Sequence, residues 1–404
     1  MIPRHSADLA TRLASEFKIV AVVGPRQSGK TTLARAVFEG KPYVSLEEPD
    51  NLQFARDDPR RFLDQYPVGA VIDEVQRCPD LFSYLQGIVD ERNTPGQFIL
   101  TGSRHFGFME SITQSLAGRV GFLRLLPFSY GELKSADCAP DSVELTLFKG
   151  GYPPIYDQPV VPERWLDSYI TTYVERDVRQ LINVRDLSAF QLFLRLCAAN
   201  VGQMLNASRL GADVGIDQKT VRAWIGLLES SFVAFRLQPH FRNFRKRLVK
   251  TPKLYFCDSA LATRLLGIET PEQLVTHPQR GALFENWVIA ELLKGRGERG
   301  KGDNLFFWRS HVGHEIDVIA DRGDSLLPIV IKRGATVWHP TGSLAFSGGS
   351  IWLARRRVDR RWYTAGGAGI HAKASMSFPG MRSTELPTQC DRFPVASRAV
   401  AAHT

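Results

Sequence analysis

The sequence predicts an α/β fold whose first part is built around a parallel sheet. Three short apolar runs of strand length occur at residues 18–23 (KIVAVV), 68–74 (VGAVIDE) and 97–100 (QFIL). Continuous apolar runs of this length are typical of strands that are buried on both faces, as in parallel sheets. Residues 31–38 have the spacing of a helix, so a strand, a loop and a helix follow one another here.

The first apolar run leads into residues 24–31, which read GPRQSGKT and match the G-x-x-x-x-G-K-[ST] pattern of phosphate-binding loops. Such a loop joins the end of a strand to the start of a helix, where backbone N–H groups and the helix dipole favour an anion. Gly24 and Gly29 permit backbone angles and a close approach that a Cβ would block. The alternative is a glycine turn beside a surface lysine, but the flanking strand and helix favour the phosphate loop.

We expect this loop to bind the phosphates of ATP. Lys30 can reach the β- and γ-phosphates, and the Thr31 hydroxyl is a ligand for Mg²⁺. The sequence thus predicts ATP as the nucleotide and Mg²⁺ as the metal ion. The predicted nucleotide-binding residues are Gly24, Pro25, Arg26, Gln27, Ser28, Gly29, Lys30, Thr31 and Thr32.

The second apolar run ends in two acids, Asp73 and Glu74. On a parallel strand beside the first, Asp73 would face the Mg²⁺ held by Thr31. Glu74 could polarise an attacking water as a general base. The chain between the loop and this run has room for one further strand, for which residues 44–46 (VSL) are the candidate.

The third apolar run ends in Thr101-Gly102-Ser103. A polar side chain at that strand end could sense the γ-phosphate and orient the attacking water. We favour Ser103 for this role, with Thr101 next. An ordinary turn at the end of a strand is the alternative.

With these motifs the chain resembles the prokaryotic family of AAA-like P-loop ATPases that carry a C-terminal restriction-endonuclease-like domain of unknown function. The segments that carry the resemblance are GPRQSGKTTL, VIDEVQRCPDL, ILTGS, SLAGRVGFLRLLPFSYGEL, GGYPP, YITTYVERDV and GALFENWVIAELL. They lie between residues 17 and 335. The resemblance implies a P-loop NTPase core with an extra strand between the phosphate-loop strand and the Asp-Glu strand.

Arg119 matches an arginine that recurs in this family. An arginine near the γ-phosphate stabilises charge in the transition state, either within its own subunit or from a neighbouring one. Arg104 is the competing candidate. For either residue, a surface arginine paired with an acid is an open alternative.

Composition is that of an ordinary globular chain, with 404 residues and a net charge of +9. Residues 347–404 hold nine Lys or Arg against three acids, so most of the excess positive charge lies in this tail. No apolar run is long enough for a membrane span, so we expect no membrane contact. Five scattered cysteines without a C-x-x-C pair indicate reduced thiols and a cytoplasmic location.

Residues 188–256 resemble a winged helix-turn-helix. Asn206 and Asp217 can cap its second and third helices, and residues 242–250 form a basic segment between two strands. The third helix could enter a major groove while the basic segment contacts phosphates, which makes DNA a candidate partner. The alternative is a lid-like module that packs on the nucleotide domain or on a protein partner.

The C-terminal third resembles a degenerate restriction-endonuclease-like α/β domain. Glu285, Asp317 and Lys332 match the acids and the lysine that this chemistry needs around Mg²⁺. The acid expected two residues before the lysine is replaced by Val330. Glu291 could compensate from the neighbouring helix. We nevertheless expect the domain to lack nuclease activity, because a site that has lost a carboxylate ligand binds metal poorly.

The predicted domains are therefore an AAA-like ATPase domain (1–135), a helical connector (136–187), the winged-helix module (188–256), the nuclease-like domain (257–337) and a basic tail without regular structure (338–404). The family pattern is lost abruptly after Ala335, as a shifted reading frame would produce. Three functions follow as hypotheses. The first is Mg²⁺-dependent ATP hydrolysis coupled to conformational change in the attached modules; the second is a nucleotide-gated DNA- or protein-binding switch; the third is an ATP-regulated nuclease. A homo-oligomer is compatible with each.

Overall fold

The structure is a computed structural model, and it describes residues 1–103, 115–175, 186–240, 251–309, 314–332, 343–346, 349–353 and 358–359. The chain divides into two compact units, Met1–Arg361 and Trp362–Thr404, and all described residues belong to the first. Arg104, the basic segment 242–250 and most of the tail lie outside the described residues.

The first sheet has five strands that all run parallel. They are β1 (Ile19–Val23), β2 (Tyr43–Ser45), β3 (Val71–Asp73), β4 (Phe98–Gly102) and β5 (Val120–Arg124), in the order β2-β3-β4-β1-β5. The predicted parallel α/β core is therefore confirmed. β4 lies between β1 and β3, as the extra strand that the family resemblance implies.

Five helices among the described residues pack around this sheet. They are α1 (Ala7–Glu16), α2 (Lys30–Val37), α3 (Pro49–Asp57), α4 (Pro59–Asp64) and α5 (Leu81–Arg92). All five residues of β1 are buried, which fits its unbroken apolar sequence at the centre of the sheet. Because the strands are parallel, the carboxyl ends of β1, β3 and β4 meet at one edge, and residue 22 of β1 pairs with Thr101 of β4 there.

Short helices follow the first sheet, at Tyr130–Ser135, Val143–Lys149, Pro154–Asp157 and Pro162–Tyr169. The last of these lies in the predicted helical connector and begins at Pro162 as an α-helix. It continues as a π-helix over Ile170–Glu175, and residues 176–185 lie outside the described residues. π-Helical turns are uncommon and are frequently found at functional sites.

Three further helices span Leu187–Ala199, Ala207–Val214 and Gln218–Ser230. Both predicted caps are confirmed, because the Asn206 side chain accepts from the Arg209 N–H and the Asp217 side chain accepts from the Thr220 N–H. Trp224 on the third helix is buried with its ring 5.1 Å from that of Phe190. This tryptophan therefore belongs to the core.

The second sheet contains β6 (Ala234–Pro239), β7 (Lys253–Phe256), β8 (Leu305–Arg309), β9 (Glu315–Asp321), β10 (Ser325–Lys332), β11 (Ser343–Phe346), β12 (Gly349–Leu353) and β13 (Val358–Asp359). Its order is β11-β12-β10-β9-β8-β6-β7, with β13 beside β10. β6 pairs with both β7 and β8, so one sheet crosses the domain boundary expected at residue 256. Three short strands also lie within the tail that was expected to lack regular structure.

The long helix Arg280–Gly297 packs beside the second sheet, preceded by helices at Ser259–Leu265 and Gln273–Thr276. A single cluster of buried apolar side chains runs from the first sheet to the second, with Ile72, Tyr152, Trp224 and Phe307 among its members. The first sheet and the later elements therefore share one hydrophobic cluster. No helix among the described residues is both long enough and apolar enough to cross a bilayer.

Candidate nucleotide site

The predicted phosphate loop connects β1 to α2. Gly29 has a φ of +88° and directly precedes the first residue of α2, Lys30. A Cβ at Gly24 would lie 2.0 Å from the carbonyl oxygen of Leu125, so only glycine fits where the loop passes the chain after β5. The loop therefore has the backbone shape that a phosphate-binding turn at a helix N-terminus needs.

Lys30 is a buried cation, with 6% of its surface exposed. Its Nζ donates to the carbonyl oxygen of Pro25 at 2.8 Å. Burial lowers the pKa of Lys30 to about 8, against the opposing effect of Glu74 and Asp73. A buried ammonium that is bonded to a loop carbonyl is poorly compensated, and an anion bound at the loop would stabilise it.

Asp73 ends β3 and is bonded by hydroxyl groups. Thr31 Oγ1 lies 3.1 Å from Oδ1 and 3.0 Å from Oδ2 of Asp73. The Tyr43 hydroxyl donates to Oδ2 at 2.8 Å, and Thr101 Oγ1 forms a short hydrogen bond to Oδ1. The predicted metal ligands, Thr31 and Asp73, are therefore in direct contact. Carboxylate and hydroxyl oxygens are the ligands that Mg²⁺ prefers.

Glu74 follows β3 with a φ of +54°, in the left-handed region. Its N–H donates to Thr101 Oγ1 at 3.3 Å, and its carboxylate accepts from Ser103 Oγ at 3.1 Å. The Gln76 amide donates to the same carboxylate through a short hydrogen bond. A non-glycine residue held in this conformation costs about 1–3 kcal/mol and often marks a functional site. The local backbone thus holds the Glu74 carboxylate between β3 and β4.

The two polar residues at the end of β4 are hydrogen-bonded to different carboxylates. Ser103, the favoured sensor, contacts Glu74, while Thr101, the second choice, contacts Asp73. Sequence reasoning missed Tyr43 and Gln76. Gln76 lies two residues beyond Glu74 and could have been considered on spacing alone, but no sequence signal indicates that the hydroxyl of Tyr43 reaches Asp73.

Two backbone carbonyls of the loop accept hydrogen bonds from residues outside it. The carbonyl oxygen of Arg26 accepts from the Tyr169 hydroxyl at 3.3 Å, and that of Ser28 accepts from Arg4 Nη1 at 3.2 Å. Gln27 has a φ of +59°. Thr32 is exposed on the first turn of α2.

Arg119 differs from the expectation for a phosphate-sensing arginine within its own subunit. Its guanidinium donates to the Asp90 carboxylate at 2.7 and 2.6 Å, and its carbonyl accepts from the N–H of Ile19 at 3.1 Å. Ile19 begins β1, so Arg119 lies at the amino ends of the parallel strands, at the opposite edge of the sheet from the loop. Arg119 therefore forms a surface ion pair, which is the alternative that the sequence left open. Action from a neighbouring subunit stays a prediction.

A second group of acids lies at the start of β9. Lys253 Nζ is 3.2 Å from the Glu285 carboxylate and forms a close ion pair with Glu315. The Tyr255 hydroxyl also donates to Glu285, at 2.6 Å. We call Lys253, Tyr255, Glu285 and Glu315 the Lys253 cluster. It brings Glu285 against a lysine that the sequence analysis did not consider.

Of the other residues in the nuclease-like prediction, Asp317 lies within electrostatic reach of the Lys253 cluster, whereas Glu291 is bonded elsewhere. Asp317 accepts from the N–H of Ile331 at 2.6 Å, and burial raises its pKa to about 6. Glu291 does not fill the place of the missing acid, because it accepts from the N–H of Tyr130 at 2.7 Å and pairs with Lys294 at 2.9 Å.

Val330 and Lys332 lie on β10, where they pair with Trp352 and Ser350 of β12. The side chain of Lys332 is not among those described.

Comparisons with known proteins divide the chain into three parts. Residues 16–134 match a family described as an AAA domain. Residues 140–272 and 280–341 match two families that are each described as a domain of unknown function, DUF8612 and DUF4143.

Similar proteins span most of the chain. Uncharacterised proteins of Mycobacterium bovis and Mycobacterium tuberculosis are each 30% identical to it over 336 residues, which is 82% of this chain and 74% of theirs. The solved structure of a Walker-type ATPase of Pyrococcus abyssi matches 66% of this chain and 96% of its own, with 15% identity and a TM-score of 0.43. The match of residues 16–134 to an AAA domain and the extent of the similarity to the two mycobacterial proteins show the family of this chain. It belongs with those two proteins to a family of AAA-like P-loop ATPases.

Proposed function

We propose that the protein binds ATP with Mg²⁺ at residues 24–31 and hydrolyses it. The observation that carries this proposal is the meeting of two pairs at one sheet edge. Thr31 lies 3.0 Å from Asp73, and Ser103 lies 3.1 Å from Glu74, next to the buried ammonium of Lys30. This is the set of groups that phosphoryl transfer to water needs.

The donor set fits Mg²⁺. Thr31 and Asp73 offer a hydroxyl and a carboxylate oxygen, and among the described residues the hydrogen-bond partners of Asp73 are neutral hydroxyls. No lysine or arginine is among these partners, so a divalent cation can bind the carboxylate. When bound, Mg²⁺ would neutralise charge on the phosphate oxygens.

Glu74 is the proposed general base. It would take a proton from water while the water oxygen bonds to the γ-phosphorus, and the bond from that phosphorus to the bridging oxygen of ADP breaks. The products are ADP and inorganic phosphate. Ser103 would hold the Glu74 carboxylate in place, and Lys30 would stabilise the charge on the phosphate oxygens.

We further propose that hydrolysis is coupled to the later elements. Contacts that join the end of the AAA domain to the long helix Arg280–Gly297 and its C-terminal flank support this coupling. Lys294 Nζ donates to the carbonyl of Phe128 at 2.9 Å, and Arg124 donates to Asp303 at 2.6 Å. Lys294 and Phe128 are buried, so a shift in one of these elements would disturb the other.

Binding of labelled ATP and steady-state phosphate release, each with and without Mg²⁺, test this function. We expect binding and slow Mg²⁺-dependent turnover by the purified protein. Adding duplex DNA, single-stranded DNA or RNA to the same assay distinguishes an ATPase that works alone from a switch that needs a nucleic acid. Absence of ATP binding under all these conditions would contradict the proposal.

A further inference from the structure

The phosphate loop is held from outside the AAA domain. The Tyr169 hydroxyl donates to the carbonyl of Arg26, a loop residue that is 143 positions earlier in the chain. Tyr169 belongs to residues 140–272, which match a different family from the AAA domain. A group from the connector therefore touches the backbone of the nucleotide site directly.

The Tyr169 hydroxyl is itself held by a second tyrosine. The Tyr152 hydroxyl donates to it at 3.2 Å, and the two ring centroids are 4.7 Å apart. Trp165 stacks on the Tyr169 ring with centroids 5.1 Å apart. Tyr152 is fully buried, so its hydroxyl cannot turn to water. The hydrogen bonds thus run in one direction, from Tyr152 to Tyr169 to the loop carbonyl.

Tyr169 also stands at a change of helix type. It is the last residue of the α-helix Pro162–Tyr169, and the π-helix Ile170–Glu175 begins with the next residue. In the same α-helix, Asp167 accepts from Arg264 at 2.6 and 2.8 Å, which ties this helix to the helix Ser259–Leu265. One short helix therefore connects the loop to the elements that precede the long helix.

We propose that Tyr169 is a positioning residue of the nucleotide site that links the shape of the phosphate loop to the state of the connector helix Pro162–Glu175. The proposal rests on the proposed ATP binding and deepens it. When ATP binds to the loop, a shift of the Arg26 carbonyl is passed through its hydrogen bond to the Tyr169 hydroxyl and so to the helix. By thermodynamic linkage the coupling is reciprocal. The factor by which ATP shifts the conformational equilibrium of the helix equals the factor by which that change in the helix alters the affinity for ATP.

Tyr169→Phe tests this link, because it removes the hydroxyl and keeps the stacked ring. Tyr156→Phe is the matched control, since its hydroxyl donates to the carbonyl of Gly150 at 2.5 Å within the same segment and makes no contact with the loop. Two quantities are measured for the parent and each variant. They are the affinity for a non-hydrolysable ATP analogue with Mg²⁺, and the hydrogen exchange of peptides within Pro162–Glu175 with and without that analogue.

We expect the parent and Tyr156→Phe to bind alike and to show the same analogue-dependent change in exchange. Tyr169→Phe should bind about three- to tenfold more weakly, the scale of one neutral hydrogen bond. It should also lose the analogue-dependent change in the connector, which a purely structural role of Tyr169 would not remove. Equal affinity and equal exchange in both variants would overturn the link and leave the proposed ATP binding intact.

A parent protein that does not bind the analogue would overturn the proposed function and the link together. If Tyr169→Phe does not fold, Tyr152→Phe serves in its place, because it removes the donor to Tyr169 and leaves the Arg26 contact. It should lower affinity by a smaller factor and weaken the exchange response. No effect of Tyr152→Phe on either quantity would then overturn the link.

Discussion

Two groups of acids in this chain have opposite surroundings. At the nucleotide site, the described hydrogen-bond partners of Asp73 and Glu74 are hydroxyls, an amide and no cation. In the Lys253 cluster, the carboxylates of Glu285 and Glu315 are paired with an ammonium. Neutral donors orient a carboxylate and leave its charge for a metal ion, whereas an internal lysine supplies the cation itself.

The two buried lysines sharpen this contrast. Burial lowers the pKa of Lys30 to about 8, and its Nζ is bonded to a carbonyl. Burial also acts to lower the pKa of Lys253, but Glu285 and Glu315 together raise it above its usual value. Lys253 is a compensated cation and Lys30 is not. The difference supports the proposal that the first site receives an anion, and it favours a structural ion pair for the second.

The largest effect is expected from removing the base of the first site. Glu74→Gln should keep ATP binding and lose hydrolysis by about 10²–10⁴-fold, the usual contribution of a positioned base. Phosphate release and binding of labelled ATP are measured in parallel. Glu91→Gln, the same change at an exposed position on α5, is the control. Unchanged turnover in Glu74→Gln would remove Glu74 from this role.

The next effect concerns the uncompensated cation. Lys30→Ala should weaken ATP binding by about 10–100-fold, because the phosphates lose a charged hydrogen-bond donor. Lys134→Ala, at an exposed position of the helix Tyr130–Ser135, should bind as the parent does. Equal affinity of the two variants for labelled ATP would mean that the phosphates bind elsewhere.

Much of the nucleotide site could be predicted from the sequence, because it depends on local patterns. The loop, the start of α2 and the acids after β3 are read from adjacent residues, and parallel strands bring their carboxyl ends together. The contact between Thr31 and Asp73 follows from that geometry. The same reasoning could not decide at which sheet edge Arg119 lies, since an arginine beside a strand does not reveal the direction of that strand.

Contacts between distant segments were beyond the sequence. Lys253 meets Glu285, which is 32 positions later, and the Tyr169 hydroxyl meets a carbonyl 143 positions earlier. No periodicity relates such residues, because their proximity depends on how whole elements pack. The pairing of β6 with β8 was missed for the same reason. It joins segments that composition and turn signals had assigned to separate modules.

Removing the internal cation of the second group tests the other side of the comparison. Lys253→Met should lower the free energy of unfolding by about 2 kcal/mol, less than for a fully buried pair because both glutamates are partly exposed. It should also make the melting temperature rise more on addition of Mg²⁺ or Mn²⁺ than the parent's does, because the parent can bind such an ion only at the nucleotide site. Lys301→Met, at an exposed position, is the control. An equal rise in the parent and in Lys253→Met would contradict the contrast.

A smaller effect is expected at Asp317. Its pKa is raised to about 6 in the folded protein by burial, so the folded state favours the protonated form. The contribution of protonated Asp317 to the free energy of unfolding is therefore full below about pH 4, and it is lost as the pH rises through about 6. Asp317→Asn should gain about 1–2 kcal/mol relative to the parent on going from about pH 4 to about pH 7. Urea unfolding of both proteins at the two pH values gives the free energy of unfolding of Asp317→Asn relative to the parent. The same relative value at both pH values would contradict a raised pKa of Asp317.

The smallest effect is expected in a nuclease assay, in which the parent protein should cleave no nucleic acid. Glu285 is paired with Lys253, Glu291 is bonded to Tyr130 and Lys294, and Val330 supplies no carboxylate. A metal ion would have to displace an ammonium and would find one ligand missing, so neither DNA nor RNA should be cleaved with Mg²⁺ or Mn²⁺, with or without ATP. Gel assays on supercoiled plasmid and labelled RNA check this. Metal-dependent cleavage that disappears in Asp317→Ala would show that the second group of acids is a working nuclease site and would break the comparison.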